Sequence, residues 1–237
     1  MAIRRIVAIL KKQIKDTLKN PVTLILFVFF PIMSLILTET IAKNSNTLSN
    51  TYFSVLFSTI YVGLIPTVNM ANIIAEEKEK HTLRVLIMSN VKPLEYLAGI
   101  GINLFILCSI GIILFTLIGG FAGLEWIRFV FALMLGVITS LLLGATAGIL
   151  SENQMSANGI VVPFAVISAF LPMIASFSEP LEKISQFLYT QQVNYLIMDL
   201  SSDNFSLNRF LIIILNMLIY LALFIVVYKR KGISEQM

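Results

Sequence analysis

Six long apolar runs constrain this chain more than any other feature of its sequence. They cover roughly residues 22–42, 52–75, 94–118, 127–150, 157–178 and 207–228. A helix of ~20 apolar residues is long enough to cross the ~30 Å hydrocarbon core of a bilayer. Composition agrees, because 57% of the residues are hydrophobic and only 13% are charged, about half the usual charged share of soluble domains. The sequence therefore predicts an all-α integral membrane protein, with six transmembrane helices in a single transmembrane domain over residues 1–237.

The basic residues predict which side of the membrane each end occupies. An even number of spans places both termini on one side, and cytoplasmic segments are enriched in Lys and Arg. With cytoplasmic termini, the outer side keeps only four of the 17 basic residues, namely Lys43, Arg128, Lys183 and Arg209. We therefore expect a multi-pass protein of the cell membrane with both termini in the cytoplasm. Topology and contact with anionic lipid headgroups then account for the net charge of +4, and we expect no nucleic-acid partner.

Residues 1–20, which precede the first span, predict an amphipathic helix at the membrane surface. Basic residues fill much of the surface between apolar residues that recur at helical spacing, which are Ile3, Val7, Leu10, Ile14 and Leu18. Asn20 and Pro21 end this helix, because the residue before a proline avoids helical geometry. A signal peptide is the alternative, but the apolar run after Pro21 is too long for one.

The segment 179–206, between the fifth and sixth spans, is too apolar for a free loop and too polar to span. It predicts short helices that lie in or dip into the outer leaflet. Ordinary surface helices packed on the bundle are an alternative that the sequence leaves open.

A line of polar residues follows one face of the second span. Its members are Ser54, Ser58, Tyr61, Asn69 and Asn72. Polar groups in lipid need partners in protein or water, so this line predicts either helix–helix hydrogen bonds or a substrate pathway or subunit seam. In the fourth span Ser140, Gly144 and Gly148 form a stripe of small residues that favours close helix packing.

Residues 76–92 form an island of charge between the second and third spans. Nothing in the sequence breaks a helix from Ala75 to Met88, and Glu76 and Lys80 are four residues apart in the favourable order. The sequence thus predicts a short cytoplasmic helix of mixed charge. Its glutamates favour a protein partner over the anionic inner leaflet, with a solvated loop as the alternative.

Few residues in the chain offer catalytic chemistry. None of the 12 glycines is followed by lysine, so the ATP-binding P-loop motif is missing. A metal site of several Cys or His residues is excluded, because the chain has one of each. A membrane-embedded hydrolase would have to use Glu76, Glu77 and His81, and this remains an alternative function. The near absence of charge within the spans argues against an ion-driven transporter.

The segment AEEKEKHTLRVLIMSNVKPLEYLAGI resembles the signature of the type-2 ABC exporter permeases. The matching residues are Glu77, Lys78, Glu79, Thr82, Leu83, Leu86, Val91, Glu95, Tyr96, Leu97 and Gly99. The six-span plan, the basic N-terminal helix and the semi-apolar segment before the last span are also similar to that family. The chain departs from the family pattern at His81, where glycine is usual.

The resemblance implies a permease subunit that works with a separate ABC ATPase subunit and a second, identical or related permease copy. The island would be the coupling helix that rests on the ATPase, through Glu76, Glu77, Glu79, Thr82, Leu83, Arg84, Leu86 and Ile87. ATP and Mg would bind in the ATPase, and this chain would carry no cofactor. The expected activity is outward transport of a drug, an antimicrobial or toxin peptide, or a lipid-linked molecule, by alternating access. A non-transporting immunity or scaffold protein is a further alternative.

Overall fold

The computed structural model describes residues 2–45, 48–88, 91–175, 177–200 and 207–234, and in these ranges every regular element is helical. The elements are α1 Ala2–Lys19, α2 Pro21–Leu37 with a π-helical extension Thr38–Ala42, α3 Tyr52–Glu79, α4 Thr82–Met88, α5 Pro93–Gly119, α6 Gly123–Leu150, α7 Gln154–Ala175, α8 Glu179–Ser185, α9 Tyr189–Met198 and α10 Leu207–Ser234.

Six of these helices are long and apolar enough to cross a membrane: α2 with its extension, α3, α5, α6, α7 and α10. The predicted fold class, an all-α membrane protein with six spans, is thereby confirmed. Several helices continue beyond the predicted span limits. Thus α3 runs to Glu79 instead of ending at residue 75, and α6 begins at Gly123 instead of residue 127.

Helices α1 and α4 and the last turns of α10 lie at one end of the bundle. The N-terminal helix α1 and the C-terminal helix α10 therefore both lie beside the charged island. Arg5 of α1 lies 3.3 Å from the Glu95 carboxylate at the start of α5. The Tyr228 hydroxyl of α10 donates to the Val91 carbonyl oxygen, at 3.3 Å, just before α5. We call this the charged end.

Helix α3 lies at the centre of the bundle, against α2, α5, α6 and α7. The stripe of small residues on α6 allows α6 and α3 to approach each other closely. A Cβ at Gly148 would lie 2.8 Å from the Ala71 carbonyl oxygen, and a Cβ at Gly144 would overlap the Thr67 carbonyl oxygen. The Ser140 hydroxyl donates to the Val62 carbonyl oxygen at 2.6 Å. Small residues let the two backbones touch, as the sequence pattern predicts.

Helix α9 enters the interior of the bundle from the end opposite the charged end. The Tyr189 hydroxyl lies 2.8 Å from the Ser140 hydroxyl, and Ser140 lies about 25 Å along α6 from Gly123 at 1.5 Å rise per residue. Further out, the Arg128 guanidinium donates to the Leu200 carbonyl oxygen at 2.8 Å. Helix α9 therefore runs antiparallel to α6, from the middle of the bundle outwards.

The predicted outer-face segment 179–206 thus contains a helix that re-enters the bundle. Its polar residues Thr190, Gln191, Gln192 and Asn194 are buried, together with Val193. Sequence polarity favours a position near water, but packing against α6 places these side chains inside protein. Residues 201–206 of the segment lie outside the described residues.

Helix α1 packs along α5 through a face that its apolar spacing does not reveal. Ile9, Gln13 and Thr17 are buried at intervals of four residues, and the Asn103 amide donates to Thr17 Oγ1 at 2.9 Å. The predicted apolar stripe instead points outwards, with Ile3 77% and Leu18 66% exposed. The stripe remains available for lipid, while a mostly polar face holds α1 on the protein.

The close contact of α3 and α6 predicts a large effect of one methyl group. Gly144→Ala should destabilise the protein by about 1–3 kcal/mol, because the rigid Thr67 carbonyl cannot move aside. The measurement is the thermal unfolding midpoint of the detergent-purified protein. Gly101→Ala is the control, since a Cβ there meets no atom within 4 Å. Equal midpoints for the two variants would contradict the α3–α6 packing.

Candidate functional site

The charged island divides into two helices at the charged end, which corrects the predicted unbroken helix from Ala75 to Met88. Helix α3 continues through Glu79, its C-cap is Lys80, and α4 begins at Thr82. Between them His81 has a φ of 55°, and its backbone N–H donates to the Lys78 carbonyl oxygen at 2.9 Å. The left-handed conformation closes α3 and redirects the chain.

The conformation of His81 gives a physical reason for the glycine that is usual in the resembling family. A residue with a Cβ pays about 1–2 kcal/mol in the left-handed region, whereas glycine does not. Sequence reasoning missed the break because histidine carries a much weaker turn signal than glycine.

Glu77 is a buried carboxylate that joins three helices, and the residue is 4% exposed. Its Oε1 accepts hydrogen bonds from Lys12 Nζ at 2.6 Å and Gln13 Nε2 at 2.8 Å, both on α1. Its Oε2 accepts from the buried Tyr96 hydroxyl of α5 at 2.7 Å. A buried carboxylate is stable only with such partners, so Glu77 holds α1 and α5 to the end of α3.

The backbone of Glu77 also fixes the start of α4. Thr82 Oγ1 donates to the Glu77 carbonyl oxygen at 2.9 Å. The neighbouring Lys78 Nζ donates to the Ile149 carbonyl oxygen of α6 at 2.9 Å, and Glu79 accepts from the Gln154 backbone N–H of α7 at 3.2 Å. The end of α3 is therefore connected to five other helices.

Helix α4 is buried near its start and exposed at its last residue. Leu83 is 2% exposed within the core, and Leu86 packs against the same core. Met88 is 72% exposed at the end of the helix. The side chains of Arg84 and Ile87, both predicted contact residues, lie outside the described part of the protein.

The predicted contact residues therefore separate into anchors and exposed groups. Glu77 and Leu83 are buried, so in this structure they position α4 and cannot touch a partner directly. Glu79 is exposed, and Thr82 is half-buried. Glu76 is also half-buried and forms an ion pair with the exposed Lys80, and this hydrogen bond raises the pKa of Lys80.

The three residues of the alternative hydrolase have separate environments. Glu76 is paired with Lys80, while the Glu77 carboxylate is engaged by α1 and Tyr96. The side chain of His81 is exposed in the turn. This arrangement uses both carboxylates for structural contacts.

The polar line of α3 divides at the middle of the helix. Ser54, Ser58 and Tyr61 are buried against neighbouring helices, and Ser54 Oγ lies 3.4 Å from Ser34 Oγ of α2. Towards the charged end Asn69 and Asn72 instead line a cavity. The half with Ser54, Ser58 and Tyr61 thus agrees with helix–helix contact, whereas Asn69 and Asn72, nearer the charged end, face open space.

This cavity has a volume of about 690 Å³ and lies between α1, the start of α2 and the part of α3 nearest the charged end. A site for a small molecule typically occupies about 300–1,000 Å³. We call it the α1–α3 cavity. Its charged lining residues come from α1 and the end of α3, and they are Lys12, Asp16, Lys19, Glu76, Glu77 and Lys80.

Comparison with known families agrees with this architecture. The sequence profile described as ABC-2 family transporter protein matches residues 6–228. The chain therefore belongs to the ABC-2 transporter family, and the resemblance in the charged island is confirmed. It is a membrane permease of an ABC transport system. No individually curated protein gives a match.

Sequence reasoning did not find the partners of Glu77. Gln13 and Thr17 form a polar ridge on α1, with Ile9 one turn before them. The apolar periodicity of α1 indicated a different face of the helix, so it did not predict this ridge. The only local signal was the presence of two neutral polar residues four apart in a helix rich in lysine.

The network around Glu77 predicts unequal effects of two neighbouring substitutions. Glu77→Ala leaves the buried Tyr96 hydroxyl without an acceptor, so it should cost about 1–3 kcal/mol and loosen α1. Trypsin should then cleave α1 faster in the detergent-purified protein. Glu76→Ala removes only the partly exposed ion pair with Lys80, so it should have little effect. Similar cleavage rates in the two variants would refute the role of Glu77.

The His81 conformation predicts that two substitutions act in opposite directions. His81→Gly should raise the free energy of unfolding by about 1 kcal/mol, because glycine adopts a positive φ without strain. His81→Val should lower it, since a β-branched residue is an outlier there. Thermal unfolding of the two variants measures the difference. A more stable valine variant would overturn the left-handed turn.

Proposed function

We propose that the protein is the membrane-spanning subunit of an ATP-driven exporter, with α4 as the coupling helix that contacts a separate ATPase subunit. Membership of the ABC-2 family supports the partner ATPase in general terms. This chain has no P-loop, because none of its 12 glycines is followed by lysine. ATP and Mg therefore bind in the partner.

The observation that carries this proposal is the way in which α4 is attached to the bundle. Leu83 and the Thr82–Glu77 hydrogen bond attach the helix to the bundle, while Met88 at its end is 72% exposed. A short helix that is anchored near its start and exposed at its end suits the transfer of a displacement from a partner to the spans.

The network of Glu77 supports a path for that displacement. Movement of α4 acts on the end of α3, and Glu77 passes it to α1 and α5 through side-chain hydrogen bonds. ATP binding in the partner would then shift these helices together between inward- and outward-open arrangements. The α1–α3 cavity, with Asn69 and Asn72, lies on the helices that move.

The topology and assembly follow from the same proposal. The charged end lies in the cytoplasm, as the distribution of Lys and Arg favours, and both terminal helices lie at that end. A second permease copy completes a transporter of twelve spans in the cell membrane. The cargo is amphipathic or hydrophobic: a drug, an antimicrobial or toxin peptide, or a lipid-linked molecule.

Cysteine cross-linking tests the contact of α4. The native Cys108 is fully buried and should stay unreactive, so the wild-type chain is a suitable background. Met88→Cys should cross-link to the partner ATPase subunit in membranes that contain both proteins. Phe177→Cys, 83% exposed at the other end of the bundle, is the control and should give no cross-link.

A membrane-impermeant maleimide applied to intact cells tests the orientation with the same variants. It should label Phe177→Cys and spare Met88→Cys. The reverse labelling would overturn the cytoplasmic position of the charged end. Loss of all activity in His81→Ala with ATPase association intact would instead favour the hydrolase alternative.

A further inference from the structure

The lining of the α1–α3 cavity combines polar and apolar side chains. Asn69 and Asn72 of α3 contribute amide groups to it. Helix α2, part of the first span, contributes Val22 and Leu26 to the same lining, and these residues are 65% and 41% exposed, so they are also accessible to lipid. A molecule in this cavity would therefore meet both polar groups and apolar side chains that are open to the hydrocarbon.

The charges around the cavity are only partly neutralised by one another. Lys12 pairs with Glu77, and Lys80 pairs with Glu76. Within the described part of the protein, Asp16 and Lys19 form no salt bridge, although both line the cavity and are three residues apart on α1. After the pairing of Lys80 with Glu76, the Asp16 charge also helps to raise the pKa of Lys80, so Asp16 lies near that ammonium group without forming a direct ion pair. The cavity thus offers one carboxylate and one ammonium group, Asp16 and Lys19, that are not in direct ion pairs within the described residues.

One hydrogen-bond acceptor of a residue in the cavity lining has no donor. Asn72 Oδ1 is buried and has no partner among the described residues. An unpaired buried carbonyl oxygen costs free energy, so a donor that reaches it gains more than in water. Asn72 lines the cavity, and the terminal amide torsion of asparagine is soft, so this side chain can reorient towards a bound donor.

We propose that the α1–α3 cavity binds the headgroup of a zwitterionic amphiphile that carries a primary ammonium group, taken from the adjacent leaflet. The ammonium group pairs with Asp16 and donates to Asn72, the phosphate pairs with Lys19, and the acyl chains lie along Val22 and Leu26. This lipid-binding site goes beyond the proposed function. It rests on that function only for the assignment of the adjacent leaflet as the inner one.

The chemistry of the lining discriminates between common headgroups. A primary ammonium group has three N–H donors, whereas a quaternary ammonium group has none to offer Asp16 or Asn72. An anionic headgroup without an amine can still place its phosphate beside Lys19, but it brings no ammonium group, so Asp16 stays without a partner and its carboxylate repels the added negative charge. Phosphatidylethanolamine therefore fits the site better than phosphatidylcholine or phosphatidylglycerol.

Native mass spectrometry of the purified full-length chain tests the site. The protein is equilibrated with vesicles containing equal amounts of these three phospholipids with identical acyl chains. Wild type should retain phosphatidylethanolamine about tenfold over phosphatidylcholine, as expected for one charge-assisted hydrogen bond. Asp16→Asn and Asn72→Leu should each bring the ratio close to one.

Asn158→Leu is the matched control, because Asn158 is an exposed amide on α7 outside the cavity lining. This variant should keep the wild-type ratio. If Asn72→Leu fails to fold, Asp16→Asn still decides, since Asp16 is exposed and its substitution leaves no buried group unpaired.

Three results would overturn the proposal: no preference in wild type, a preference for phosphatidylglycerol, or an unchanged preference in Asp16→Asn. The second would mark α1 as a general basic surface for anionic lipid. The assay contains no ATPase, so its failure leaves the cross-linking test of α4 unaffected. Likewise, a failed cross-linking experiment would not contradict the proposed lipid-binding site.

Discussion

The buried carboxylate of Glu77 is the interaction on which the charged end of this protein depends. A charge with 4% exposure is tolerated only because Lys12, Gln13 and Tyr96 supply it with three hydrogen bonds. These donors belong to α1 and α5, and the backbone of the same residue fixes the start of α4. One residue thus connects the N-terminal helix, two spans and the short helix between them.

This connection relates the candidate partner surface to the cavity beside it. Glu77 itself lines the α1–α3 cavity, and its carbonyl oxygen holds Thr82 of α4. In the proposed transporter, a force on α4 therefore acts on a residue that also forms a cavity wall. The break at His81 contributes to this arrangement, because it separates α4 from α3 and gives the short helix a direction of its own.

Much of the fold and part of the site could be predicted from the sequence. Hydropathy predicted the six spans, since the cost of exposing polar groups to lipid acts along each helix separately. The small residues of α6 predicted its close contact with α3. The helix break at His81 was missed because its signal is weak. The burial of Glu77 and Leu83 was missed because their partners lie on other helices.

The sequence by itself determined the membrane class, the number of spans and the family, because length, apolar content and a local motif carry that information. Only the tertiary structure decided that α9 reaches the level of Ser140, that α1 docks through Ile9, Gln13 and Thr17, and that the polar line of α3 opens into a cavity at Asn69 and Asn72. The physical reason is that polar side chains within a bundle take their partners from helices far away in the chain. Helical periodicity shows which residues share a face, and packing alone determines what covers that face.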